Sequence, residues 1–230
     1  IIKSKSLRTH MVAEQLSARD ILDPLVLSAM EKVPRELFVD EEWQNEAYID
    51  GPLPIGEGQT ISQPYIVAYM IQALRLKGGE KILEIGGGSG YAAAVLAQIA
   101  HHVFTIERLE PLVKIARSNL QRAGITNVTI RHGDGTVGWI EEAPFDGILV
   151  SAGAPNVPEI LKEQIKVGGR IIIPVGEDMF SQELLSVKRS TETTYEEEYL
   201  TSVRFVPLLG VAGWKEELHQ KERKITPPSR

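Results

Sequence analysis

Apolar and polar positions change period repeatedly along the middle of the chain, which predicts strands and helices in alternation. Short apolar runs that are typical of buried strands occupy residues 81–85, 103–106, 128–130, 145–150 and 170–173. Helical spacing occupies residues 91–100, 111–122 and 158–165, and Gly168-Gly169 predicts a turn. Because parallel strands need a crossover between them, this alternation predicts a doubly wound α/β fold with a mostly parallel sheet.

The segments that flank this alternation follow other patterns. Before it, residues 11–33 carry apolar residues at helical spacing in two short blocks, while residues 50–64 contain too many Gly and Pro for regular structure. A further helix is expected to begin there, with Ser62 as its N-cap and Pro64 in its first turn. After the alternation, β-branched segments at 183–188 and roughly 197–208, joined by the polar turn 190–194, predict a hairpin that finishes the sheet.

Composition and charge exclude several classes of function. The 230 residues include no cysteine, so the chain has no disulfide framework, thiolate zinc site, iron–sulfur cluster or cysteine nucleophile. The adjacent His101 and His102 cannot face one ligand from the same side, and we expect no metal site. With 25 basic and 31 acidic residues, the net charge of −6 argues against a nucleic-acid partner. The sequence shows no membrane-spanning run and no signal-peptide pattern, so we expect a cytoplasmic protein with no membrane partner.

A glycine-rich loop is predicted where the first strand of the alternating region meets its first helix. Gly86, Gly88 and Gly90 allow a sharp turn and a close approach of the backbone to a ligand. Tyr91 stands where the dinucleotide fingerprint G-x-G-x-x-G requires its third glycine, so a pyrophosphate site is not predicted. Glu84 lies just before the loop, where its negative charge disfavours a phosphate and favours an ammonium or sulfonium group.

Two further acidic residues follow the next two predicted strands. Glu107 lies 21 residues beyond Gly86, a spacing that fits a carboxylate accepting hydrogen bonds from both hydroxyls of a ribose. Asp134, within His132-Gly-Asp-Gly135, could accept a hydrogen bond from the exocyclic amine of adenine. Open α/β sheets bind ligands at the carboxyl ends of their strands. Together with Glu84, these residues therefore favour S-adenosylmethionine over a phosphate-rich nucleotide.

The chain resembles the protein-L-isoaspartate (D-aspartate) O-methyltransferase family over about residues 11–214. The resemblance rests on residues 11–16, 33–39, 52–64, 82–91, 132–135, 143–146, 168–176 and 205–208. The run Gly58-Gln-Thr-Ile-Ser-Gln-Pro64 is specific to this family, whereas the glycine loop and Glu107 are shared with many methyltransferases. Asp20 and Gly87 depart from the family pattern, which usually has Gly and Thr at these positions.

The resemblance implies a single methyltransferase domain over residues 1–230, with a seven-stranded, Rossmann-like sheet of the S-adenosylmethionine-dependent type. Its parts are N-terminal helices and a substrate loop (1–80), a cofactor-binding core (81–176), C-terminal strands (177–214) and a charged tail (215–230). The helices and the loop are expected to cover the cofactor, and we expect a monomer.

The family's reaction repairs age-damaged proteins and peptides. The resemblance implies that the free carboxylate of an L-isoaspartyl or D-aspartyl residue attacks the methyl group of S-adenosyl-L-methionine, which leaves S-adenosyl-L-homocysteine. A carboxylate with a pKa of about 4 is already ionised at neutral pH, so no general base is required. The absence of a cysteine nucleophile and of a histidine-centred relay is consistent with this chemistry.

The resemblance also assigns roles to individual residues. It makes Ser62 the active-site serine, whose hydroxyl or neighbouring amides orient the isoaspartyl carboxylate near the methyl donor. The expected substrate-binding residues are Gln59, Thr60, Ile61, Val206, Pro207 and Leu208. The expected cofactor-binding residues are Glu84, Gly86, Gly88, Gly90, Glu107, Asp134 and Gly135. Because the substrate is a carboxylate, we expect the cleft to be less negative than the average surface.

Two other functions stay open at this point. One is methyl transfer to another substrate, either a small metabolite or RNA, against which the serine segment and the acidic charge balance argue. The other is a non-catalytic protein that binds S-adenosylmethionine and keeps the fold. No feature of the sequence favours this second function, since the predicted site is intact.

Overall fold

The computed structural model describes residues 2–216, and its centre is a seven-stranded sheet. The strands are β1 (Leu53–Pro54), β2 (Thr60–Ile61), β3 (Lys81–Ile85), β4 (His102–Glu107), β5 (Val128–His132), β6 (Phe145–Val150), β7 (Ile165–Val175), β8 (Gln182–Arg189) and β9 (Tyr195–Val203). β1 and β2 form a separate hairpin, and the other strands lie in the order β5-β4-β3-β6-β7-β8-β9. β3 to β7 are parallel, and β8 is antiparallel to both neighbours. The predicted fold class is confirmed.

Helices cover both faces of this sheet. They are α1 (Ile2–His10), α2 (Pro24–Lys32), α3 (Pro64–Ala73), α4 (Tyr91–Leu96), α5 (Glu110–Arg122) and α6 (Glu159–Gln164), with a π-helix at Met11–Ser17 and short 3₁₀ helices at Arg35–Phe38, Glu41–Glu46, Gly135–Val137 and Ile140–Glu142. Ile82 packs with α2 to α5 on one face, and Leu83 packs with α6 on the other. Successive residues of a strand point to opposite faces, which explains why the central strands are apolar throughout.

The order of the strands locates a crevice for ligands. From β3 the chain moves outward to β4 and β5, and then returns to place β6 on the other side of β3. Ligands of open α/β sheets bind at such a reversal, beyond the carboxyl ends of the strands. Glu84 lies near the end of β3 and Glu107 at the end of β4, so both predicted carboxylates face this crevice edge.

The N-terminal region contains two short helical segments, as predicted for residues 11–33, but the predicted N-cap of α3 is wrong. α3 begins at Pro64, and Gln63 occupies the N-cap position without a side-chain hydrogen bond. The residue before a proline is driven towards extended backbone, and Gln63 has φ −48° and ψ 136°. Ser62 therefore lies before the cap and continues from β2 towards the crevice.

Two strand boundaries also differ from the prediction. Gly168 and Gly169 lie inside β7 and do not form a turn, because the pairing of β7 with β6 shifts register there, which makes a bulge. The last strand ends at Val203 and does not reach Leu208, because the chain leaves the sheet and forms a bridge between Pro207 and Gly153. The polar turn at 190–194 joins β8 to β9 as predicted. Most of the predicted tail, 217–230, lies outside the described residues.

Candidate active site

A cavity of about 380 Å³ lies at the carboxyl ends of β3, β4 and β6, within the size range of small-molecule sites. All of the predicted site residues except Gly90 and Asp134 line it. They are Gln59, Thr60, Ile61, Ser62, Glu84, Gly86, Gly88, Glu107, Gly135, Val206, Pro207 and Leu208. The fold thus brings together the loop before α3, the glycine loop and the segment after β9, which are far apart in the sequence.

The glycine loop turns the chain sharply between β3 and α4. Gly86, Gly88 and Gly90 have φ values of 88°, 53° and 88°, in the left-handed region that a residue with a Cβ rarely adopts. Gly86 N–H donates to the carbonyl of Ile106 at 2.9 Å, which joins the loop to the end of β4. Gly90 lies behind the loop at the start of α4, where an added Cβ would be 3.3 Å from Leu120 Cγ. Gly90 therefore permits the close packing of α4 on α5 and does not line the cavity.

Glu84 is a fully buried carboxyl group at the floor of this loop. Its Oε2 accepts a hydrogen bond from Thr105 Oγ1 at 2.6 Å, and its Oε1 has no partner among the described residues. Burial raises the pKa of Glu84 to about 8; the Thr105 hydrogen bond opposes this shift, and the charge of Glu107 adds to it. The group is therefore mostly protonated at pH 7, and a nearby cation would favour its ionised form.

Glu107 is held rigidly at the end of β4 and is only 7% exposed. Its Oε2 accepts from Gly88 N–H and its Oε1 from Leu109 N–H, both at 2.8 Å. These bonds fix the carboxylate between the glycine loop and the turn that leads into α5. A carboxylate has about four lone-pair sites, so each oxygen can still accept a hydrogen bond from a ligand hydroxyl.

Asp134 is placed differently from its neighbour Gly135. Its Oδ1 accepts from Thr136 N–H at 2.8 Å and Thr136 Oγ1 at 2.7 Å, and its Oδ2 accepts from Val211 N–H at 2.9 Å. The carboxylate thereby caps the 3₁₀ helix at 135–137 and anchors the C-terminal loop. Gly135 lines the cavity, where an added Cβ would be 2.4 Å from Ile85 Cγ2. The contact between Asp134 and an adenine amine stays a prediction.

The hairpin of β1 and β2 forms one wall of the cavity. Its tip, residues 56–58, has left-handed backbone throughout, and Gln59 N–H closes it by donating to the carbonyl of Gly56 at 2.8 Å. Beyond β2, the carbonyl of Ser62 accepts a hydrogen bond from Nη2 of Arg35 at 2.7 Å. Since Ser62 does not cap α3, its hydroxyl is not used by that helix, and the residue lines the cavity.

The segment after β9 forms another wall, and three of its hydrogen bonds go to the backbone of Gly153. Gly153 N–H donates to the carbonyl of Val206 at 2.8 Å, and Leu208 N–H donates to the carbonyl of Gly153 at 2.7 Å. The Trp214 indole Nε1–H also donates to the Gly153 carbonyl, at 3.0 Å. These bonds fix the position of Pro207 at the cavity, and no sequence motif marks Gly153 or Trp214 as part of this arrangement.

The charge of the cavity differs from the expectation. Its acidic lining residues are Glu57, Glu84, Glu107 and Glu216, and its one basic lining residue is Arg108. The expected relative lack of negative charge is therefore wrong for the cavity as a whole. The acidic residues are of two kinds. Glu84 and Glu107 are buried at the predicted cofactor positions, while Glu57 and Glu216 are exposed at the edge of the cavity. Glu216 forms an ion pair with Arg108 at 3.5 Å.

Two further properties bear on the kind of site. Within residues 2–216, no group of three or more His, Asp or Glu side chains is arranged to hold a metal ion. No helix in that part of the chain combines the length and the apolar character needed to cross a membrane.

The family model described as protein-L-isoaspartate(D-aspartate) O-methyltransferase (PCMT) matches residues 6–213. The chain belongs to this family. It is 58% identical over 208 residues to protein-L-isoaspartate O-methyltransferase 2 of Marinobacter nauticus, covering 90% of this chain and 95% of that protein. It is 56% identical over 207 residues to protein-L-isoaspartate O-methyltransferase 2 of Pelobacter propionicus, covering 90% and 92%.

Solved structures of the same family have the same fold. The match to one structure of a protein-L-isoaspartate O-methyltransferase covers 98% of this chain and 71% of that structure's chain, with a TM-score of 0.81 and 29% identity. A Plasmodium falciparum structure of the family, in complex with S-adenosyl-L-homocysteine, covers 89% and 97%, with a TM-score of 0.76 and 31% identity. The resemblance inferred from the sequence motifs is confirmed.

The two positions that depart from the family pattern have specific contacts. Asp20 accepts a hydrogen bond from the Tyr65 hydroxyl at 2.7 Å, which glycine could not do. An added Cβ at Gly87 would lie 2.6 Å from Thr105 Oγ1, the hydroxyl that binds Glu84. The sequence signal that could identify Thr105 is its hydroxyl within the otherwise apolar run 103–106.

Proposed function

We propose that the chain transfers a methyl group from S-adenosyl-L-methionine to the free carboxylate of L-isoaspartyl residues in damaged proteins and peptides. Membership of the isoaspartate O-methyltransferase family is the observation that carries this function. The cavity supports it, because the family-specific segment 59–62 and the predicted cofactor-binding residues line one continuous space.

The residues at the floor of the cavity fit S-adenosylmethionine. Glu84 offers a buried oxygen without a partner, which suits a cationic group and would be costly to leave unpaired. Glu107 offers the remaining lone pairs of a rigidly held carboxylate to the ribose hydroxyls. Gly86 and Gly88 bring the left-handed backbone of the glycine loop to the cavity, and Gly135 brings the backbone of the turn after β5 to it.

The chemistry places few demands on the protein. When bound, S-adenosylmethionine supplies an electrophilic methyl group on a sulfonium, and the bond from carbon to sulfur breaks as the bond from carbon to the carboxylate oxygen forms. The substrate carboxylate is already ionised at neutral pH, so no side chain needs to remove a proton. The chain's residues therefore act by orienting that carboxylate and by excluding water from it.

Ser62 is the residue that we assign to the carboxylate. Its hydroxyl is free of the helix-capping role, and its neighbours Thr60 and Ile61 complete the wall around it. A hydroxyl donating to one carboxylate oxygen would restrict the direction from which the other oxygen can attack. Val206, Pro207 and Leu208, in the segment after β9, also line the cavity. We assign them to contacts with the substrate backbone.

A serine-to-alanine pair tests the assignment of Ser62. Ser62→Ala should lower kcat for an isoaspartyl peptide about tenfold or more, since a hydrogen bond to a charged group contributes roughly 1.5–3 kcal/mol. The dissociation constant of S-adenosyl-L-homocysteine should change less than twofold. Ser28→Ala, on the exposed face of α2, is the matched control and should leave both quantities unchanged. Equal losses in kcat and cofactor affinity for Ser62→Ala would contradict the orienting role.

A substrate panel separates this function from methylation of other acceptors. Labelled S-adenosylmethionine is offered with an isoaspartyl peptide, RNA or small carboxylic acids, and we expect transfer to the peptide only. Transfer to RNA or to a free acid at a higher kcat/KM than to the peptide would favour the alternative substrates. Binding of S-adenosyl-L-homocysteine without transfer to any acceptor would indicate a non-catalytic binding protein.

The remaining assignments are part of the same proposal. We propose one methyltransferase domain that acts as a monomer in the cytoplasm, without a nucleic-acid partner. The net charge of −6 supports the last point, since phosphate-binding surfaces are usually basic. Light scattering on the purified chain tests the monomer, and a mass of two or more chains per particle would contradict it.

A further inference from the structure

Arg35 is a buried arginine without an acidic partner. It lies in the 3₁₀ helix Arg35–Phe38 and is 0% exposed. Its Nε donates to the carbonyl of Ala47 and its Nη2 to the carbonyl of Ser62, each at 2.7 Å. Its Nη1 has no hydrogen-bond partner among the described residues.

The charge of this side chain is not neutralised by the adjacent acid. Glu36 accepts a hydrogen bond from the Tyr48 hydroxyl, and no salt bridge to Arg35 occurs within the described part of the chain. Burial lowers the pKa of Arg35 from its ordinary value, but a guanidinium starts so far above neutral pH that it stays charged. An uncompensated buried charge carries a desolvation cost that hydrogen bonds to two neutral carbonyls offset only in part.

The position of Arg35 relative to the cavity suggests what its charge does. Its guanidinium holds the backbone of Ser62 and lies over the ring of Tyr91, with Cζ 4.7 Å from the ring centroid. Ser62 and Tyr91 both line the cavity, whereas Arg35 lies behind them. A positive charge is thus fixed in a low-dielectric layer next to the residue assigned to the substrate carboxylate, where charge interactions are strong.

We propose that Arg35 is a positioning residue for methyl transfer, which fixes the Ser62 segment and supplies the positive potential that favours a carboxylate at this end of the cavity. The inference rests on the proposed function, because it takes the acceptor to be a carboxylate. It also accounts for the segment at residues 33–39, a motif of the family resemblance that the site itself does not use. The carboxylate does not touch Arg35, so the residue acts through Ser62 and through its field.

The experiment compares Arg35→Met and Arg35→Lys with the wild-type chain. Binding of an isoaspartyl peptide and of its carboxamide analogue is measured on the protein saturated with S-adenosyl-L-homocysteine. The wild-type chain should prefer the carboxylate. Arg35→Met should reduce this preference about tenfold, because a potential acts on the charged ligand and hardly on the neutral one. Arg35→Lys keeps the charge. The logarithm of its affinity ratio between the isoaspartyl peptide and the carboxamide should stay above half of the wild-type value.

Kinetics and cofactor binding give the second readout. For Arg35→Met, kcat/KM for the isoaspartyl peptide should fall tenfold or more. The lost potential should raise KM, and the loosened Ser62 segment should lower kcat, with the dissociation constant of S-adenosyl-L-homocysteine changed less than twofold. Val26→Ala is the control for lost stability, since Val26 is a buried residue of α2 that makes no side-chain hydrogen bond. It should lower the melting temperature without changing the preference for the carboxylate.

Three results would overturn the proposal. The first is an unchanged preference for the carboxylate in Arg35→Met, and the second is a parallel loss of affinity for peptide, carboxamide and S-adenosyl-L-homocysteine. If Arg35→Met does not fold, Arg35→Lys decides: its single ammonium cannot hold both carbonyls, so kcat/KM should fall about threefold to tenfold. Wild-type kcat/KM in Arg35→Lys would be the third contradicting result. Failure of the wild-type chain to methylate the peptide would instead contradict the proposed function.

Discussion

Glu84→Gln should change the pH dependence of stability in a direction that the structure specifies. The buried carboxyl has a pKa raised from 4.5 to about 8, so the folded chain holds a proton over an interval in which the unfolded chain has lost it. A group that binds more protons in the folded state makes stability fall as pH rises. The contribution of Glu84 to the stability of the wild-type chain should therefore decrease between about pH 4.5 and 8 and then level off.

The size of this effect follows from the same shift. Each pH unit in the interval is worth about 1.4 kcal/mol, so ionising Glu84 costs the folded chain about 5 kcal/mol over the full interval. Between pH 6 and pH 8 the free energy of unfolding should fall by about 2 kcal/mol through Glu84, which is about half ionised at pH 8 in the folded chain. Glutamine has the same shape and no proton to lose, and its carbonyl can still accept the hydrogen bond from Thr105.

The assay is denaturant unfolding at pH 6, 7 and 8 without cofactor. All other titrating groups are common to the two proteins, so the difference between their free energies of unfolding isolates Glu84. Glu84→Gln should gain about 2 kcal/mol relative to the wild-type chain from pH 6 to pH 8. Parallel pH profiles for the two proteins would refute the reasoning, since they would mean that Glu84 titrates alike in the folded and unfolded chains.

Three further substitutions test other parts of the site. Glu107→Gln should weaken S-adenosyl-L-homocysteine about tenfold to a hundredfold in isothermal titration calorimetry, and an unchanged dissociation constant would contradict the ribose assignment. Gly87→Thr should lower the free energy of unfolding by about 1–3 kcal/mol through the contact with Thr105 Oγ1. In a double-mutant cycle, the cost of Gly87→Thr should be at least halved in the Thr105→Ala background, and an equal cost in both backgrounds would disprove the clash. Asp134→Asn should lower kcat/KM by loosening the loop at Val211 and change S-adenosyl-L-homocysteine affinity less than threefold, whereas a loss of tenfold or more would favour direct contact with adenine.

The fold was predictable because its signals are local. Each central strand is a short apolar run, and each is separated from the next by helical spacing or a turn, so the alternation alone indicates a parallel sheet. The carboxyl ends of such strands meet at one edge, which is why the sequence alone predicts that Glu84 and Glu107 share one cavity. The register of β7 was not predictable, since its bulge depends on pairing with β6.

The parts of the site that were not predictable depend on distant partners. Arg35 binds the carbonyls of Ala47 and Ser62, and nothing in its own segment indicates that these two backbone groups lie beside it. The sequence predicts a contact between Asp134 and the adenine amine, because the glycines on either side of this carboxylate have no side chain to bind it. In the folded chain its oxygens bind Thr136 and the distant Val211.

The most direct measurement for the proposed function is methyl transfer from labelled S-adenosylmethionine to two synthetic peptides of identical sequence, one with an isoaspartyl residue and one with the normal aspartyl isomer. Both peptides carry an ionised carboxylate, so charge alone cannot distinguish them, and only its placement on the backbone differs. The account predicts transfer to the isoaspartyl peptide with kcat/KM at least a hundredfold above that for its isomer. Equal transfer to both peptides, or transfer to neither while S-adenosyl-L-homocysteine binds normally, would contradict it.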